Sequence, residues 1–153
     1  MQIVSMHGVV SEAQRMLSGG ERQRAGSLQA WLTAFAECVR ERQFDEGRVM
    51  FAPDVTSFGT WTGRMDGLDT LVARQWRNVW PNTCGFAFDL DTFVGHESGD
   101  TGWAAATWSS HALNADGSAG FRRTGRATFA FAKREGRWVA VHSHFSLDPA
   151  GRL

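Results

Sequence analysis

Two histidines one residue apart, His142 and His144 in the run Val-His-Ser-His-Phe-Ser, are the most conspicuous chemical groups of the chain. On a strand both imidazoles point to one face, with Cα atoms about 7 Å apart. That is half of a metal site, and a site needs a third ligand and groups that orient the ligands. Asp89 and Asp91 are the only tidy partners, and nothing in the sequence sets them adjacent. The pair therefore reads as structural or interface histidines, and no metal is expected. Asp89 and Asp91, also two apart, have the spacing of an acid–base pair. On a strand buried through Phe86, Phe88 and Leu90 they read instead as its solvated side. Cys38 and Cys84 have no metal spacing and read as reduced thiols.

These groups must be positioned by the elements around them. Ala127–Ser146 reads as two long strands reversing at Glu135-Gly136, with apolar residues alternating on both arms. A two-residue turn sets Ala132 opposite Val139, Ala130 opposite Val141 and Thr128 opposite Ser143. One face then carries Thr128, Ala130, Val139, Val141, Ser143 and Phe145. The other carries Phe129, Phe131, Trp138, Ala140, His142 and His144. Both faces are too apolar for open water, so both should be covered.

Upstream, Ser27 can cap a helix whose face is Leu28, Trp31, Leu32, Phe35, Cys38 and Val39. A short helix from Asp45 to Phe51, closed by Pro53, precedes a strand over Val55–Trp61 that bends at Gly59. A helix capped by Asp66 spans Gly67 to about Trp80 and stops at Pro81. Strands follow from Cys84, over Gly102–Leu113 and over Phe121–Lys133. Helices first and a meander afterwards make an α+β fold, with helices packed on one face of a bent sheet. Residues 1–26 read as a flexible lead-in with a short helix near Ser11–Leu17, 27–149 as one domain and 150–153 as a tail.

Sixteen basic and sixteen acidic residues give no net charge, so no basic stripe for nucleic acid is expected. Neutrality is permissive for self-association. The N-terminus lacks the pattern of a signal peptide and no apolar run is long enough for a membrane span, so a cytoplasmic protein is expected. Seven Trp and eleven Phe stand beside no Tyr, which removes one class of general acid.

The element order, with FAPDVTSFG, GLDTLVARQWRNVWP and RATFAFAKREGRWVAVHSHFS, resembles the SnoaL-like family of the nuclear transport factor 2-like superfamily, which includes ketosteroid isomerases. The closing hairpin is also similar to the association domain of calcium/calmodulin-dependent protein kinase. The resemblance covers roughly Ser27–Pro149. It implies a cone-shaped cystatin-like fold, N-terminal helices on a strongly curved, mostly antiparallel sheet, and a small-molecule pocket. It implies a homodimer through the outer sheet face, here Phe129, Phe131, Trp138, His142 and His144, with Thr128, Ala130, Val141, Ser143 and Phe145 in the pocket.

Ketosteroid isomerisation is not expected. The strand that should supply the base has Ser57, Phe58, Gly59 and Thr60, no Tyr exists to bind the oxyanion, and Thr128 stands where an acid is needed. The expected ligand-binding inventory is Trp31, Phe35, Phe58, Trp61, Trp76, Trp80, Trp108, Arg126, Thr128, Ser143 and Phe145. Trp31, Phe35 and Trp76, at helical spacing, read individually as core rather than site. Arg126, on the implied inner face beside Phe145, calls for an acidic partner or a ligand carboxylate unless it lies at a wet rim. The expectation is a pocket for a small apolar organic molecule, with no cofactor. If there is catalysis, it is cofactor-free cyclisation, isomerisation or hydration with His111, Arg126 and Ser143 handling protons. The alternative is a non-catalytic assembly module with a filled core.

Overall fold

The computed structural model describes residues 28–150, so the expectations for the lead-in, the helix near Ser11–Leu17, the Ser27 cap and residues 151–153 lie outside the described residues. Helix α1 spans residues 28–41. Its apolar stripe is buried along its whole length, at Leu28, Trp31, Leu32, Phe35, Cys38 and Val39. Helix α2, Phe44–Arg48, starts after Gln43 rather than at Asp45. Pro53 does not end it; Pro53 lies inside strand β1, Phe51–Phe58. Between Phe51 and Thr56 the pairing of β1 with its neighbour is irregular. A residue without an N–H costs nothing there.

A short strand β2, Arg64–Asp66, pairs back on β1 and had no periodicity to announce it. Asp66 belongs to it, bonded to Thr56 and Arg64, and Gly67 takes the cap position of the next helix without a side-chain bond. That composite helix, α3, is α-helical at Leu68–Leu71, widens to a π turn at Val72–Trp76, and returns to α at Arg77–Val79. It closes in a 3-10 turn at Trp80–Asn82, which contains Pro81. Strands β3 (Thr83–Ser98), β4 (Thr101–Leu113), β5 (Ala119–Arg134) and β6 (Arg137–Leu147) complete the chain.

Among the described residues the sheet has six strands in the order β2-β1-β6-β5-β4-β3. Every pairing is antiparallel except β1 with β6. The helices cover one face, which gives the α+β cone. Its core is aromatic: Trp31 packs against Phe35, Phe51, Phe129 and Phe131 at centroid distances of 4.8–5.5 Å. No helix of the described residues is long and apolar enough to cross a membrane.

The last hairpin turns at Glu135 (φ 51°) and Gly136 (φ 75°), the left-handed pair of a tight two-residue turn. Ala132 faces Val139 as the turn requires, and Phe131 faces Ala140. Then β6 carries one extra residue, Val141, and Ala130 faces His142 while Thr128 faces His144. Because side chains alternate with period two, this bulge inverts the two arms relative to one another. Ala127, Phe129 and Phe131 join Ser143 and Phe145 on the helix-covered face. Phe129 and Phe131, expected outside, are core residues. Trp138 is half-buried against the core, with Lys133 Nζ 4.8 Å from its ring centroid. Thr128 and Arg126, expected inside, are exposed.

Candidate functional site

A cavity lies between α3 and the sheet, with α1 along one side. Its floor comes from strand alternation. On β4, Trp108 and Ser110 point inward; on β5, Arg123 and Gly125 do so; on β6, Ser143 and Phe145. The β4–β5 register places Ser110 opposite Arg123 and Trp108 opposite Gly125. A Cβ on Gly125 would run into the Trp108 ring and the Ser146 carbonyl, so the missing side chain is what lets the indole lie across β5.

The roof is the π turn and the residues after it. A π turn adds a residue to the helical circuit, and such turns recur at functional sites. Here it carries Gln75 and Trp76 to the cavity, followed by Val79 and Trp80. The indoles of Trp76 and Trp80 stack at 4.5 Å and 19°, and Phe44 stacks on Trp80 from the far side at 5.1 Å. Phe35, Val39 and Phe51 close the inner end. The cavity volume is about 60 Å³, room for about four waters.

The polar side chains of the lining are Thr60, Gln75, Thr83, Ser110, Arg123 and Ser143. Gln75 holds the loop after β1: its Oε1 accepts from the Trp61 amide at 3.3 Å and its Nε2 donates to Thr60 Oγ1 at 3.3 Å. Gly59 lies so close to the Gln75 amide that a Cβ would collide with it. Arg123 donates to the same Thr60 hydroxyl at 3.4 Å and sits 5.8 Å from the Trp108 ring centroid. Burial lowers the pKa of its guanidinium, which remains a cation at neutral pH. Ser57 and Ser143, both buried, share a hydrogen bond of 2.7 Å between their hydroxyls. Trp108 Nε1 is buried and finds no acceptor among the described residues.

Of the residues expected to bind a ligand, Phe35, Trp76, Trp80, Trp108, Ser143 and Phe145 line this cavity, and Phe58 borders it with its ring turned to His142 and His144 on the other face of the sheet. Trp31 does not; it is enclosed by core rings. Trp61 does not, its side chain being 70% exposed on the loop. Arg126 and Thr128 lie on the opposite face of the sheet, displaced there by the Val141 bulge. His111, paired with Cys84 and Arg122 across its two neighbours, alternates away from Ser110 and so also faces outward.

The groups that the sequence reading missed are Arg123, Ser110, Gln75 and Thr60. Correct parity on β5 would have exchanged Arg126 for Arg123, because the two differ by an odd number of residues. Gln75 is one position from Trp76, and only the π turn brings both to the same cavity.

The other candidates resolve into structural roles. His142 donates Nδ1–H to the Thr56 carbonyl at 2.7 Å, and the Phe58 ring packs against both His142 and His144. Asp89 accepts from the Asp91 amide in a local turn where β3 departs from its register with β4. Among the described residues no three ligand-type side chains converge. Cys38 and Cys84 are free thiols, and the pKa of Cys38 is raised by burial and then by Glu46 and Glu37.

A model of the SnoaL-like domain family matches residues 28–150. Comparison with curated proteins finds no match. Among solved structures, a nuclear transport factor 2-like superfamily protein from Salmonella enterica serovar Typhimurium aligns with a TM-score of 0.73 at 18% identity, over 87% of this chain and 96% of its own. A proposed dehydratase of the same family from Streptomyces avermitilis gives 0.70 at 18%, over 84% and 98%. The association domain of C. elegans calcium/calmodulin-dependent protein kinase II gives 0.61 at 17%, over 86% and 98%. At these identities the likeness is one of fold.

Proposed function

The chain belongs to the SnoaL-like domain family of the nuclear transport factor 2-like superfamily, and on that premise we propose that it is a small-molecule-binding domain whose ligand is a compact, largely apolar organic molecule. The observation that carries this reading is the cavity's composition. Aromatic walls from Trp76, Trp80, Phe86 and Trp108 surround a small set of convergent polar groups, which is the profile of a ligand site rather than of a packed core. Among the described residues the lining holds no carboxylate, imidazole, thiol or amine, and Arg123 is its one ionisable side chain. Proton transfer at neutral pH needs a group poised to titrate there, so the lining supports binding and orientation of a ligand.

The test fills the space. Saturation-transfer NMR with the neutral aromatic probes indole and benzyl alcohol should show binding to the native protein. Ser110→Leu, placed on the cavity floor, should abolish it while circular dichroism shows the fold intact. Binding that survives the filling substitution would place the ligand elsewhere.

A second reading, compatible with the first, concerns the other face of the sheet. Trp103 is 49% exposed and Val94 54% exposed, beside Ala105, Ala130, His142 and His144. Exposed Trp103 and Val94 beside two alanines on one sheet face favour a homodimer through the outer sheet face. The residues differ from those expected, since Phe129, Phe131 and Trp138 belong to the inner side. Sedimentation should give a dimer, and Trp103→Glu a monomer. A native protein that sediments as a monomer at tens of micromolar would rule the patch out as an interface.

A further inference from the structure

We propose that the ligand of the cavity carries a carboxylate, held by the guanidinium of Arg123 while its apolar body lies among Trp76, Trp80, Phe86 and Trp108. This rests on the cavity being a ligand site and names the class of molecule it takes.

Arg123 is a half-buried cation with no acidic partner among the described residues. The ion pairs among the described residues join Arg48 to Asp69, Arg64 to Asp66 and Arg134 to Asp54, all at the surface, and none involves Arg123. Its guanidinium carries five N–H donors, and among the described residues one side-chain acceptor meets them, the Thr60 hydroxyl at 3.4 Å. Burial lowers the pKa of the guanidinium. A charge removed from water without a counter-charge is costly.

Its neighbours are donors as well. Trp108, whose ring lies 5.8 Å from the guanidinium carbon, has a buried indole N–H with no acceptor among the described residues. Ser110, 1% exposed, stands directly across the ladder from Arg123. The guanidinium, the indole N–H and a hydroxyl that can donate thus stand on neighbouring strands with one formal positive charge, and the complement is an acceptor with one negative charge. A carboxylate meets the planar guanidinium in a bidentate pair and has a second lone pair on each oxygen for the indole and the hydroxyl. A phosphate dianion would leave one charge uncompensated. The rings around the rest of the cavity supply the apolar complement, so an aryl or short alkyl carboxylate fits both halves.

Benzoate and its neutral counterpart benzamide, of the same shape, test this by calorimetry or ligand-observed NMR. The native protein should prefer benzoate about 10–100-fold, the range of a charge-assisted hydrogen bond in a partly buried site. Arg123→Gln should bring the two within about twofold of one another, and Arg123→Lys should restore part of the preference. A folded Arg123→Gln protein that keeps the preference would overturn the assignment to Arg123. Equal affinities in the native protein, or binding of indole and benzyl alcohol with none of benzoate, would overturn the carboxylate while leaving the cavity a ligand site. Failure of every probe, charged and neutral, would remove both.

Discussion

At the scale of single residues, the cavity wall is held by polar pairs whose removal has a defined sign. The Ser57–Ser143 hydroxyl pair is buried, so Ser143→Ala strands the Ser57 hydroxyl away from water. That should cost about 1–3 kcal/mol of unfolding free energy, and removing both hydroxyls should cost less than the sum of the single changes. Chemical denaturation of the two single variants and the double variant measures the coupling. Additive losses would mean that the pair contributes nothing as a pair. Arg123 gives a prediction in pH. Burial lowers its pKa, yet the guanidinium stays charged well above neutrality, and no other ionisable group of the described residues lines the cavity. Carboxylate binding should therefore be flat between roughly pH 6 and 8. A step in that window would reveal a histidine coupled to the site.

At the scale of elements, the two devices that shape the site are a bulge and a π turn, and neither has a sequence signature. The amphipathic stripe of α1, the reversal at Glu135-Gly136 and the long alternating strands were legible because each follows from a period or a turn requirement. Val141 sits in an unbroken apolar run with no glycine or proline to mark an extra residue, so the inner face of β5 was read one residue out of phase. That single slip exchanged Arg123 for Arg126 and moved Phe129 and Phe131 from core to surface. The short strand β2 and the start of β1 at Phe51 were hidden for a different reason. Pro53 signals a helix stop in general and tolerates a strand only where no ladder bond is needed. Gly125 tests the β5–β6 arrangement directly. Gly125→Ala would push a Cβ into the Ser146 carbonyl and the Trp108 ring, and it should lower stability by about 3 kcal/mol, or roughly 6–12 °C in Tm. Gly63→Ala, with open space around it, should change little. Equal thermal melts for the two variants would contradict the close approach of Trp108 to β5.

At the scale of the whole molecule, the cone has two faces for which the proposals give different uses. The inner one is closed by helices and leaves a small aromatic cavity whose polar lining includes Thr60, Gln75 and Arg123. The outer one is a sheet face with Trp103 and Val94 exposed and a net-neutral chain behind it, which fits self-association without long-range repulsion. Most of a domain of this kind is spent on building the curved sheet, and the ligand is chosen by the few side chains that reach the cavity. In this chain those are one cation and several neutral polar groups among rings, which is why we propose binding and an anionic group on the ligand. The most direct measurement is a crystal structure of the protein grown with benzoate. The account predicts difference density for the ring among Trp76, Trp80 and Trp108, with its carboxylate within hydrogen-bonding distance of Arg123. Benzoate bound anywhere else, or a cavity shut by its own side chains in the presence of the ligand, would contradict it.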